Sequence, residues 1–284
     1  MVTTPSSRPA RARISSIATF VPQRVLSNAD LEKLVDTSNE WIMQRVGIRE
    51  RHVVDPGVAT SDLAYEAALS AIEKASLTAQ DIDLIIVATT TPDTLFPATA
   101  CLLQARLGAP HAWGFDLNAA CSGFTYALTT ASQIVAAGGS RHALVVGADV
   151  MSSIIDYTDR TTCVLFGDGA GAVVVEPAED PTIGILDFEN YVDGTGGPAL
   201  CMPAGGSRMP ASKETVEQRL HFVKQDGKAV FKFAVRNMEE VCRRILERNH
   251  LDAGQVDLFV PVSQASSACG ERLFSWLCAF WLVV

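Results

Sequence analysis

Two stretches of this chain, 174 residues apart, repeat one another, and that repeat constrains the fold more than any other feature of the sequence. A helical pattern at residues 64–75 runs into LTAQDIDLIIV at 77–87, and another at 238–248 runs into LDAGQVDLFVP at 251–261. Leu77, Ala79, Asp83 and Leu84 recur as Leu251, Ala253, Asp257 and Leu258. A helix, a short polar turn and an apolar strand used twice at one offset point to duplicated α/β halves. A chance coincidence of turn and strand patterns is the competing account.

The rest of the chain alternates in the same way. Residues 14–20 read as a strand, and 28–34 as a short helix capped by Asn28. Residues 41–47 read as a helix ending at a glycine, and Ser61 as the cap of a helix over 62–75. Ala64, Ala67, Ala68, Ala71 and Ile72 give that helix a small, close-packing face. The run 82–88 predicts a strand covered on both sides, 89–97 a proline-punctuated loop, and 98–107 a helix stopped by Gly108. Strands follow at 113–117, 142–148 and 164–166, with a helix at 122–136. The glycine-rich run 167–172 reads as a turn held by Asp168 that leads into a strand at 173–176.

The expected class is therefore α/β, layered, with the second half incomplete. The expected organisation is a disordered basic arm at 1–13, a first half at 14–180, a partial second half at 181–261 and a divergent apolar tail at 262–284. Only 23 residues follow Pro261, and none after Arg272 is charged, so a misread terminus is expected, with a genuine divergent helix as the alternative. The apolar stretch 273–284 is shorter than the ~20 residues a helix needs to cross a bilayer.

Charge excludes some partners. With 32 acidic against 23 basic side chains, the formal charge of −9 opposes general attraction to nucleic acid or to an anionic membrane. Seven cysteines, an odd number without metal-ligand spacing, suit a reducing cytoplasm and predict neither disulfides nor a metal. The GDGAGA run lacks the lysine and hydroxyl residue of a phosphate-binding loop.

Cys121 stands apart from the other cysteines. In GFDLNAACSGF at 114–124 it lies where an apolar strand breaks into a small-residue helix, near unpaired backbone donors and the positive helix end. That position predicts a lowered thiol pKa and a better nucleophile, with the Cys121 amide able to join an oxyanion hole. A buried structural cysteine is the other reading of the same geometry.

DLNAACSGF at 116–124 resembles the nucleophile segment of the β-ketoacyl-acyl-carrier-protein synthase III branch of the thiolase-like fold. SNEWIMQRVGIRERH at 38–52, TTPDTLFPATAC at 90–101, DRTTC at 159–163, LFGDGAGAVV at 165–174 and DGKAVFKFAV at 226–235 are similar to that branch as well. The resemblance implies a thiolase-like layered fold and an acyltransferase that starts fatty-acid synthesis, with no cofactor beyond a coenzyme A thioester as substrate. It implies Cys121 as nucleophile and Phe96 and Leu165 as acyl-pocket lining. It also implies coenzyme A contacts at Thr37, Trp41, Arg45, Arg160 and Phe231. Acyl-CoA and acyl carrier protein are the implied partners, and a homodimer the implied assembly.

The sequence departs from that family at one motif. The family's enolate-stabilising donors are a histidine in a His-Gln-Ala-Asn motif and a later asparagine; here Val262 stands before Ser263, Gln264, Ala265 and Ser266, and the later segment has no counterpart. None of His52, His111, His142, His221 and His250 lies in that motif. The alternatives are a chain able at most to acylate Cys121, a non-catalytic acyl-CoA binder, or a chalcone-synthase-like or hydroxymethylglutaryl-CoA-synthase-like reaction on the same fold.

Overall fold

Five consecutive residues, Leu84–Ala88, form strand β4, and all five are buried. Each of Leu84, Ile85 and Ile86 is removed from water completely, worth about 1.5–3 kcal/mol of transfer free energy apiece. Only a central strand can bury both its faces, and β4 runs parallel to β5 (Trp113–Leu117) on one side and to β6 (Ala143–Val150) on the other. With β1 (Ala12–Phe20) and β7 (Asp168–Pro177), antiparallel to each other, these strands make a mixed sheet of order β1-β7-β6-β4-β5. The computed structural model describes residues 11–180, 182–260 and 282–283. The first ten residues of the expected arm, Val262 and most of the expected tail lie outside them.

The described chain divides into two compact units. The first comprises the chain up to Val21, Val58–Asp149 and Gly169–Phe188, and holds this sheet. Its helices are α3 (Thr60–Lys74), α4 (Thr99–Leu107) and α5 (Gly123–Ala136). Ala64, Ala67, Ala68, Ala71 and Ile72 are all buried, so the small face of α3 packs as expected, and Ser16 on β1 donates to the Ala71 carbonyl at 2.6 Å. Ser61 does not cap α3. The cap is Ala59, whose N–H donates to Asp62 at 2.8 Å, while the Ser61 hydroxyl donates to Asp93 at 2.6 Å. α4 ends, as expected, at Gly108 in the left-handed conformation.

The second unit comprises Pro22–Gly57, Val150–Asp168 and the described chain from Glu189. It contains β2 (Val25–Ser27), α1 (Asn28–Leu31), α2 (Asn39–Arg45) and β3 (Glu50–His52). These are followed by β8 (Leu200–Cys201), α6 (Lys213–Glu217), β9 (Lys224–Gln225), α7 (Gly227–Arg248) and β10 (Phe259–Val260). Its core gathers Leu31, Ile42, Val46, Ile155, Cys163, Val164, Phe166 and Val223. Ser27, not Asn28, caps α1, which leaves the Asn28 amide free to accept from the buried Arg51 guanidinium at 2.5 Å.

Residues 164–166 are buried but form no strand. Arg51 donates from Nε to the Val164 carbonyl at 3.1 Å, so the acceptor a neighbouring strand would use is taken by a side chain. The glycine run is likewise not a turn throughout: β7 begins at Asp168, and Gly171 pairs with Thr19 of β1. Asp168 does bind backbone as expected, accepting from the N–H groups of Val54 and Ser152, both at 2.8 Å.

The repeat read from the sequence reappears as hydrogen bonds. After α3, Leu77 donates to the Ile72 carbonyl and Ser76 to that of Glu73; after α7, Leu251 donates to Leu246 and His250 to Glu247. Ser76 (φ 59°) and His250 (φ 55°) both adopt the left-handed conformation. In the next turn Thr78 N–H is accepted by Asp81, and Asp252 N–H by Gln255, both at 2.8 Å. The two copies share their geometry at every one of these positions. Among the described residues, no helix is long and apolar enough to cross a membrane.

Candidate active site

At the end of β5 the chain reverses through Asn118 and Ala119 into a single 3-10 turn, Ala120–Ser122, that runs directly into α5. Ala120 has φ 47°, a region that costs a residue with a Cβ roughly 1–2 kcal/mol, so Cys121 sits on a strained turn at the head of a helix. Gly123 opens that helix beside β4, where a Cβ would make an ordinary contact with that of Ala88 at 3.4 Å. The helix expected from residue 122 thus starts one residue later.

Asp149, near the end of β6, organises the neighbouring loop. Its Oδ1 accepts from the N–H groups of Thr90 (2.8 Å) and Thr91 (3.1 Å) and from the hydroxyls of Thr89 (3.0 Å), Thr90 (3.1 Å) and Thr91 (2.8 Å). Thr89 in turn donates its N–H to the Leu117 carbonyl at 3.2 Å, which ties the loop to the strand that leads into the Cys121 turn.

The thiol does not have the lowered pKa expected from the helix end. Solvent reaches Cys121, yet the protein packed around it pushes the thiol above its ordinary value, and the charge of Asp149 pushes the same way. Its backbone N–H acts in the opposite sense and is outweighed. Desolvation and a nearby carboxylate both disfavour a thiolate, and here they exceed what a helix terminus supplies. The resting group is a thiol. Three of the described histidines are engaged elsewhere: His52 with the Pro22 carbonyl, His142 with the Asp81 carbonyl at 2.9 Å, and His221 with Thr215 at 2.9 Å.

Phe96, in the same unit, lies on the loop after β4, where it and Leu95 are 85% and 88% exposed. The other expected site residues belong to the second unit, and there Trp41 and Arg160 come together. The Arg160 guanidinium carbon lies 5.4 Å from the centre of the Trp41 ring, and its Nη1 donates to the Asp36 carbonyl at 2.7 Å. Arg45 is exposed in the last turn of α2, and the Thr37 hydroxyl oxygen is buried without a hydrogen-bond partner among the described residues. Phe231, early in α7, is 62% exposed. Leu165 is half-buried against the core of this unit. An indole face, guanidinium groups and an unused hydroxyl can bind an aromatic, anionic ligand.

The sequence reading missed Asp149 and Asp156. Both had a signal. Asp149 is a carboxylate near the end of an otherwise apolar strand, and Asp156 begins two consecutive Asp-x-Thr turns, with Thr158 donating to Asp156 and Thr161 to Asp159.

Known proteins resemble this chain in sequence and in fold. The family described as 3-oxoacyl-[acyl-carrier-protein (ACP)] synthase III matches residues 115–194, the stretch that includes Cys121. A β-ketoacyl-[acyl-carrier-protein] synthase III from Solibacter usitatus is 56% identical over 269 residues, covering 93% of this chain and 81% of that protein. The crystal structure of 3-oxoacyl-[acyl-carrier-protein] synthase III from Aquifex aeolicus superposes with a TM-score of 0.80 at 42% identity, covering 89% of this chain and 77% of the other. The priming β-ketosynthase of the R1128 polyketide pathway superposes with a TM-score of 0.82 at 36% identity, covering 93% and 77%.

Proposed function

Because the chain belongs to the β-ketoacyl-[acyl-carrier-protein] synthase III family, we propose that it condenses acyl-CoA with malonyl-acyl carrier protein to give 3-oxoacyl-acyl carrier protein, CoA and carbon dioxide. In the first half-reaction Cys121 Sγ attacks the thioester carbonyl, the carbon–sulfur bond to CoA breaks, and the CoA thiol leaves with the proton that Cys121 gives up. In the second, malonyl loses carbon dioxide, its enolate carbon attacks the acyl carbonyl, the bond to Cys121 Sγ breaks, and the released thiolate takes a proton from solvent to restore the thiol. The observation that carries this reading is Cys121 on its strained turn at the head of α5, within the matched stretch.

The cation–π pair of Trp41 and Arg160, with Arg45, Thr37 and Phe231, supports binding of the nucleotide of acyl-CoA. Phe96 and Leu165 line the acyl pocket in this reading. The apolar pair Leu95 and Phe96, almost fully exposed, supports a homodimer covering that loop. The acidic balance and unpaired cysteines support a cytoplasmic setting without nucleic acid or membrane partners.

One residue favours a second reading. Val262 stands where the family carries its enolate-stabilising histidine, and a valine has no donor for an oxyanion. Losing one such donor lowers turnover about 10²–10³-fold, so on this reading the acyl-enzyme forms and is not discharged.

Intact-protein mass spectrometry separates the two. The chain and its Cys121→Ala variant are exposed to acyl-CoA, then to malonyl-acyl carrier protein. An acyl mass that depends on Cys121 and discharges into 3-oxoacyl product establishes the full reaction. A mass that persists establishes the second reading, and no acyl mass on folded protein overturns both.

A further inference from the structure

Asp156 is buried, with its carboxylate only 4% exposed, and it joins two segments far apart in sequence. On one side it holds the turn that presents Arg160. Thr158 donates to Asp156 Oδ1 from its N–H (2.9 Å) and its hydroxyl (2.6 Å), and Asp159 donates its N–H to the Asp156 carbonyl (2.9 Å). Asp159 then accepts from the Thr161 N–H (2.9 Å) and hydroxyl (2.6 Å), and its carbonyl accepts from Cys163 (3.0 Å). Thr162 and Cys163 are fully buried, so Arg160 projects from the apex of an anchored turn.

On the other side Asp156 holds the segment that leads into α7. Arg219 grips it with two bonds, Nε to Oδ2 at 2.8 Å and Nη2 to Oδ1 at 2.5 Å, and Lys224 Nζ stands 4.0 Å from Oδ2. Arg219 reaches this geometry from a left-handed backbone, φ 56°, a conformation that persists in a non-glycine residue only where its surroundings impose it. Val223 donates to the Ile154 carbonyl at 3.0 Å. Two residues after Lys224, Asp226 accepts the N–H groups of Lys228 and Ala229, both at 3.1 Å, and so starts the helix on which Phe231 lies.

We infer that Asp156 is a positioning residue for the nucleotide half of acyl-CoA: its buried carboxylate fixes the Arg160 turn and the α7 entry, with Phe231, as one rigid platform. The inference rests on the reading of Trp41, Arg160 and Phe231 as CoA contacts. A carboxylate held by a bidentate guanidinium transmits position because both of its oxygens are fixed, and misplacing a binding group by about 1 Å costs on the order of a hundredfold.

The test compares wild type with Asp156→Asn, Arg219→Gln and Arg219→Lys, reading CoA affinity by calorimetry and Cys121 acylation by mass spectrometry. Acyl-CoA and an acyl-pantetheine, which lacks the nucleotide, serve as donors. Asp156→Asn and Arg219→Gln are expected to weaken CoA binding about ten- to a hundredfold while acylation from acyl-pantetheine changes less than about twofold. Arg219→Lys, which keeps a charge but not the fork, is expected to fall between them and wild type. Arg219 is half exposed, so its variants keep the test open even where Asp156→Asn fails to fold. Unchanged CoA affinity, or equal losses with both donors, overturns the inference. A wild-type chain that binds CoA but never acylates Cys121 overturns the proposed reaction alone, since calorimetry still decides the role of Asp156; one that does not bind CoA overturns both.

Discussion

Asp149 strengthens the hold of Cys121 on its proton, second only to burial among the causes that raise the thiol. Asp149→Asn keeps an acceptor for the threonine loop and removes the charge. It is expected to move the pH profile of Cys121 alkylation by iodoacetamide to lower pH. A thiol raised on folding contributes stability that is complete below its unfolded pKa and is lost as pH rises through the folded one. The variant should therefore lose less stability at alkaline pH than wild type, and an alkylation profile that does not move would remove Asp149 as a cause.

Asp149→Ala tests the loop itself. Five donor contacts converge on one oxygen, and losing that acceptor is expected to cost about 1–3 kcal/mol. Urea unfolding should show that loss for Asp149→Ala and a smaller one for Asp149→Asn.

The strained turn makes a separate prediction. Ala120→Gly should stay within about 1 kcal/mol of wild type, since relief of the left-handed strain is offset by a more flexible unfolded chain. Ala120→Val should cost at least about 1–2 kcal/mol, because a β-branched residue fits that region worse than alanine. Equal stability of the valine variant would contradict the backbone described here.

Arg51 is buried with neutral partners, the Asn28 amide and the Val164 carbonyl, and burial brings its guanidinium down to about 10. Arg51→Lys cannot reproduce the fork that reaches both. It is expected to destabilise the chain by about 2–4 kcal/mol in denaturant unfolding, by leaving one acceptor unmet and a compact cation desolvated.

The duplicated helix ends predict a gain. Glycine is the favoured residue at a left-handed helix terminus, and here Ser76 and His250 occupy it. Ser76→Gly and His250→Gly should each stabilise the chain by up to about 1 kcal/mol, measured as a rise in unfolding midpoint.

What the sequence disclosed, and what it concealed, follows the range of the interactions involved. The run 84–88 announced a doubly covered strand because its apolarity is continuous, and the small face of α3 announced its own packing. Residues 164–166 look like a strand for the same local reason, but the decisive contact comes from Arg51, 113 residues away. Ser61 looked like a cap until Asp93, across a loop, captured its hydroxyl. The turn that carries Cys121 was legible in the sequence, whereas the rise in its thiol pKa comes from burial and then from Asp149, neither of which is local to that turn. Local chemistry could be read directly; competition from distant partners could not.

The position of β1 has a consequence for how the chain assembles. Among the described residues β1 lies at the edge of its sheet and pairs with β7 alone, joining Ala12 to Pro177 and Phe20 to Ala170. During synthesis β1 must therefore wait for about 150 further residues before β7 exists, whereas the turn after α3 closes over a few residues. Until β7 arrives, β1 is a strand without its edge partner and is open to a wrong one.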